Sequence, residues 1–120
     1  MSSFKTDDAR RVVVTGLGSI SPVGNTVKEG WHSILSGLSG ISEISKFDAT
    51  GFAVNIAGEI KNFSISDFVS AKEARHMDTF IHYGIVAGEE AFNDSGYVVS
   101  ESNMEKIGVM VGSGIGGLPM

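Results

Sequence analysis

The sequence contains no cysteine. That excludes disulfides, thiolate metal ligands and a cysteine nucleophile within these residues. It fits a reducing compartment, so a cytoplasmic location is expected. No apolar run approaches the roughly 20 residues that cross a bilayer. The opening MSSFKTDDARR is charged where a signal peptide would be apolar. A soluble protein without a membrane partner is expected. Positive charge is not in excess either. The net charge is −5, whereas a wholesale nucleic-acid binder would be basic. There is no Gly-x-Ser-x-Gly nucleophile elbow. His32, His76 and His82 form no i, i+4 pair, and no carboxylate cluster joins them, so no metal site is expected.

Glycine is what the chain has in plenty. Sixteen glycines in 120 residues are about twice the usual share, which points to turns and close backbone approaches. The apolar fraction of 42% is ordinary for a globular protein and allows one small core.

Residues 1–10 are polar and read as a flexible tail. Arg11-Val12-Val13-Val14-Thr15-Gly16-Leu17-Gly18 reads as a strand entering a glycine turn. Its three consecutive valines suggest burial on both faces in a parallel sheet. Pro22 and Gly24 continue the turn. Thr26 and Glu29 have capping-box spacing. A helix is expected from about 27 to 36, with Trp31, Ile34 and Leu35 on its inner side and Gly37 as its stop.

Residues 38–53 read as a loop, 54–60 as a strand near a sheet edge, and 64–69 as a short helix or turn. Ser70-Ala71-Lys72-Glu73 is a second capping box, from which a long helix should run to about Asn93. Met77, Phe80, Ile81, Gly84, Gly88 and Ala91 recur on it at helical spacing. The small members would let another backbone approach closely, and Phe80 and Phe92 are expected in the core. Asp94-Ser95-Gly96 ends the helix. Ile107 to Val111 reads as a second fully buried strand, and Gly112 to Gly117 as a loop. The order of elements predicts an α/β protein with a parallel sheet covered on both faces. Three visible strands are too few for that, so Met120 reads as a cut rather than a natural terminus.

Both glycine loops raise dinucleotide binding. In the first, Ser21 stands where Gly-x-Gly-x-x-Gly needs its last glycine, and Pro22 delays the helix that would face a phosphate. In the second, Gly112, Gly114 and Gly117 satisfy the pattern, but Pro119 follows at once and no helix is visible to confirm it. Lys72, Arg75 and His76 stand at i, i+3 and i+4, on one helical face. They form either a solvated face or a docking patch for an acidic partner, with Glu73 diluting the charge.

Taken in order, several segments resemble the start of a β-ketoacyl-acyl-carrier-protein synthase, a condensing enzyme of the thiolase superfamily, and its type II form most closely. They are Arg11 to Gly18, Ser21-Pro22-Val23-Gly24-Asn25, Gly37-Leu38-Ser39-Gly40-Ile41, Phe47-Asp48, Met77-Asp78, Tyr83-Gly84, Ala91 to Gly96, and Gly112-Ser113-Gly114-Ile115-Gly116-Gly117. The resemblance covers nearly all of residues 11–120, and members of the family are much longer.

It implies a thiolase-like α-β-α-β-α layered fold, of which this is the N-terminal part, and a homodimer. It implies fatty-acid elongation by decarboxylative condensation of an acyl-enzyme thioester with malonyl-acyl carrier protein, without a cofactor. The family's catalytic cysteine, histidines and lysine match nothing here, so no catalytic residue is assigned. Ile115 matches a position that lines the acyl pocket, where type I enzymes carry a smaller residue. Lys72 and Arg75 match basic positions that meet acyl carrier protein. His76 departs from the usual lysine or arginine. Two alternatives stay open: a dinucleotide-binding domain, and a non-catalytic thiolase-like partner subunit.

Overall fold

The computed structural model describes residues 11–117. The expected tail and Pro119 lie outside them. The elements are α1 (Val27–Leu35), β1 (Ile41–Glu43), β2 (Ile56–Gly58), α2 (Ala71–Ala74), α3 (Thr79–Asp94) and a 3₁₀ turn, Met104–Lys106.

Helix α1 starts and stops where its sequence signals stand. Thr26 Oγ1 accepts the Glu29 N–H at 3.1 Å. The Glu29 carboxylate reaches back one residue further than expected, to the Asn25 N–H at 2.9 Å. At the other end Gly37 has φ +66°. Leu38 N–H bonds to the Ser33 carbonyl at 2.9 Å and Gly37 N–H to the Ile34 carbonyl at 3.1 Å. That pair is a Schellman motif, which needs a left-handed residue at Gly37. The face of α1 that packs is not the expected one. Trp31, Ile34 and Leu35 are exposed, and Gly30 is the buried position. The turn at Ser21–Gly24 lies on that side and comes so close that Gly24 has no room for a side chain beside Gly30.

The sheet also differs from expectation. β1 and β2 pair antiparallel, with Ile41 opposite Gly58 and Glu43 opposite Ile56. β1 falls inside the segment read as a loop. Three residues are too few to show alternation. The valine runs form no strand among the described residues. Val12 is 93% and Met110 98% exposed. An apolar run reports a demand for burial. It does not supply the neighbouring strand that a backbone ladder needs.

Residues 15–19 are instead fastened to α3. A side chain at Gly16 or Gly18 would collide with the α3 backbone at Ala91 or Ala87. The Leu17 N–H bonds to Asp94 Oδ2 and the Ser19 N–H to Glu90 Oε2, both at 2.9 Å. The two amides, two residues apart, meet two carboxylates that stand one helical turn apart on α3. The close approach on α3 therefore runs along Ala87 and Ala91. Gly84 meets little more than Val111, and Gly88 faces open space.

The long helix expected from 71 to 93 is two helices. The Ser70–Glu73 capping box forms as predicted, with bonds of 3.1 and 3.3 Å to the two backbone amides. One turn later the chain leaves the helix. Asp78 has an extended backbone and its carboxylate accepts the Thr79 N–H at 2.6 Å. Aspartate competes for backbone amides and so favours a helix start over a helix interior. Met77 consequently lies between the helices rather than on the stripe.

Among the described residues Val86, 7% exposed, is the one buried large apolar side chain. Phe80 and Phe92, expected in the core, remain exposed. These residues alone therefore do not complete a core. No described helix is long and apolar enough to cross a membrane.

Candidate functional site

Two groups of sequence-predicted residues lie at either side of the α2–α3 junction. The first is the basic patch. Lys72 is inside α2, Arg75 is its C-cap, and His76 follows. All three are exposed. The turn after α2 keeps helical direction, because His76 N–H bonds to Glu73 O at 3.0 Å and Met77 N–H to Ala74 O at 3.2 Å. The neighbouring Glu73 carboxylate is occupied: Ser70 donates both its hydroxyl, at 2.6 Å, and its N–H. Those bonds hold the Glu73 carboxyl below its usual range. The half-buried His82, one turn into α3, places Nε2 3.2 Å from the Ala74 carbonyl.

The second group is the glycine loop 112–117. Ser113 Oγ accepts the Gly116 N–H at 2.9 Å. Gly116 has φ +77°, which suits glycine, and lies against the Phe80 ring. A side chain at Gly117 would strike the Asp78 carboxylate. The loop therefore ends on the N-cap of α3, two positions from His76. Ile115 is 85% exposed. The segment before the loop forms no strand, so the strand–loop–helix context of a dinucleotide site does not form among the described residues.

An apolar groove of about 730 Å³ separates α3 from the segment that leads into this loop. Phe80, Ile81, Ile85 and Phe92 form one wall; Val109 and Val111 form the other. Ile115 lies two residues beyond the last lining position, Ser113, and is not itself part of the wall. The structure thus sets the loop beside a groove that could take aliphatic material. It brings no ionisable side chain into that wall. The sequence shows the stripe through Phe80, Ile81, Gly84 and Gly88, and Phe80 and Phe92 are expected in the core, because nothing in the period tells a wall from an interior.

Sequence reasoning missed one buried charge. Glu59, directly after β2, is 8% exposed. Its carboxylate accepts the Ser45 N–H at 2.9 Å, the Ser45 hydroxyl at 2.7 Å and the Lys46 N–H at 3.2 Å. The Ser45 hydroxyl, then the Ser45 N–H, hold its carboxyl below the usual range. It fastens the segment after β1 and offers no free acid or base.

A model of the β-ketoacyl synthase N-terminal domain matches residues 9–119. The chain is 53% identical over 111 residues to a protein of Vibrio harveyi named 3-oxoacyl-(acyl-carrier-protein) synthase 2. It is 54% identical over 111 residues to the Vibrio cholerae protein of that name, and 48% identical over 109 residues to one from Staphylococcus aureus. These matches cover 91–92% of this chain but only 26–27% of the relatives. Among solved structures, the ishigamide ketosynthase/chain length factor matches with a TM-score of 0.65 and 34% identity. That match covers 74% of this chain and 22% of the other.

Proposed function

This chain belongs to the β-ketoacyl synthase family through that family's N-terminal domain, and on that premise we propose that its full-length protein elongates fatty acids as a type II 3-oxoacyl-acyl-carrier-protein synthase. The observation that carries the proposal is the 53–54% identity, sustained across 111 residues, with two proteins bearing that name. In this reaction a cysteine thiolate takes an acyl group from its carrier protein. Malonyl carrier protein loses carbon dioxide, and the resulting carbanion attacks the acyl thioester. The thiolate leaves and a 3-oxoacyl chain, two carbons longer, remains on the carrier. The cysteine, its two histidines and its lysine belong to sequence outside these 120 residues, which contain no cysteine.

Within this reading the described residues shape and dock the substrate. Lys72, Arg75 and His76 receive acyl carrier protein. Their exposure on a capped helical turn supports this, since clustered surface cations steer an acidic partner in a salt-dependent way. Ile115 borders the acyl chain; its place between glycines and beside an apolar groove supports that role. The exposed Val12–Val14 and Val109–Val111 segments become strands of the layered α-β-α-β-α fold when the rest of the protein is present. The protein works as a homodimer. The comparisons give no support to the dinucleotide-binding alternative.

The test is acylation. Full-length protein incubated with acyl-loaded carrier protein should gain one acyl mass on a single cysteine, read by peptide mass spectrometry. A protein with no acylatable cysteine would instead be the non-catalytic partner subunit.

A further inference from the structure

The basic patch sits on a helix that cannot hold itself. α2 has four residues, and one turn of helix fixes many dihedrals for very few backbone bonds. Contacts from outside the helix close it at both ends. The Ser70–Glu73 box closes the first end. At the second, the Ala74 carbonyl is one of the orphan acceptors that every helix leaves behind. It accepts the Met77 N–H at 3.2 Å. It also lies 3.2 Å from His82 Nε2. A carbonyl can only accept, so this nitrogen carries the proton and donates.

The two residues are on opposite sides of the break at Arg75–Asp78. The bond therefore ties a one-turn helix to a helix of 16 residues. α3 is itself fixed to residues 17, 19 and 27 through Asp94 and Glu90. His82 is thus a side-chain link between α3, with the segments fastened to it, and the turn that carries Lys72 and Arg75.

We propose that His82 is a positioning residue for carrier-protein docking: it pins the Ala74 carbonyl and so sets how Lys72 and Arg75 are presented. The proposal rests on the docking reading above. Without the bond the last turn of α2 frays, and the partner must order two long side chains as it binds. Each such side chain costs a few-fold in affinity.

The experiment uses the full-length protein. KM and kcat are measured for acyl carrier protein substrates and for a small acyl thioester of N-acetylcysteamine, in His82→Ala, His82→Gln and the Lys72→Glu/Arg75→Glu pair. His82→Ala should raise the KM for carrier-borne substrate about three- to tenfold, with the change in KM rather than kcat. The small thioester makes no use of the patch and should not show that rise. His82→Gln, whose amide can donate to the same carbonyl, should restore most of the loss. Added to the charge-reversed pair, His82→Ala should cost nothing more. If the pair raises KM and His82→Ala does not, the role of His82 is overturned while docking stands. If neither raises KM, the docking reading fails and the proposal fails with it. An equal loss on both substrates would show general damage and would also overturn it.

Discussion

Glu90 Oε1 accepts the Val27 N–H at 2.8 Å. Val27 is the first residue of α1, and its amide is one of the four that the helix cannot satisfy internally. The positive end of the helix dipole lies there, so a carboxylate is favoured on both counts. The other oxygen of Glu90 holds the Ser19 amide. A single side chain thereby joins α3, the N-terminal extended segment and the start of α1.

Replacing Glu90 by alanine should lower stability by about 1–2 kcal/mol, since two charge-assisted bonds to backbone amides are lost. Glu90→Gln keeps one good acceptor and should lose less. Denaturant midpoints of the full-length variants would check the order. Equal midpoints for wild type and Glu90→Ala would contradict it.

Gly18 should tolerate no side chain. Its added carbon would fall on the Ala87 carbonyl of α3, which is backbone and cannot step aside. Gly18→Ala should cost at least about 2 kcal/mol. Gly37 makes the contrast. It has φ +66° but open space around it, so Gly37→Ala should cost only the left-handed strain of about 1 kcal/mol. Thermal unfolding of the two variants would rank them.

Part of this architecture was legible in advance. Thr26, Gly37, the Ser70–Glu73 box and Gly96 marked helix ends, because capping chemistry is local and leaves a spacing. The break at Asp78 was not read, although aspartate is an N-cap residue, because it lay inside an apolar stripe that continued past it. The Glu90 and Asp94 bonds span 63 to 77 positions and leave no periodic trace. The valine runs were recognised as strand material, yet their partners are not among the described residues. At the site, the cations and the glycine loop were visible. The groove beside them was not, and neither was the bond from His82 to Ala74.

Glu59 should make stability depend on acid. Its carboxyl is held below its usual range in the folded protein. The folded state therefore binds this proton less readily than the unfolded one. The stabilisation is fully present above the ordinary glutamate value of about pH 4.3 and is lost as pH falls through the lower folded value. Glu59→Gln should flatten the fall in thermal midpoint below about pH 4.3. An unchanged pH profile in that variant would show that Glu59 carries none of it.

Ile115 should shape substrate length. On the proposed role of Ile115, Ile115→Phe adds bulk where the acyl chain would pass. It should reduce kcat/KM for long acyl carrier substrates at least several-fold more than for short ones, since one methylene in an apolar pocket already changes discrimination about tenfold or more. The comparison needs only a chain-length series on one enzyme preparation. Equal losses across the series would take Ile115 away from the acyl chain.

The condensation itself can be read directly. Full-length protein is mixed with acyl-loaded and malonyl-loaded carrier protein, and the carrier-bound product is weighed by mass spectrometry. The product should be a 3-oxoacyl carrier protein, two carbons longer than the acyl donor, with one carbon dioxide released for each condensation. Active, acylated protein that yields no such product from malonyl carrier protein would contradict it.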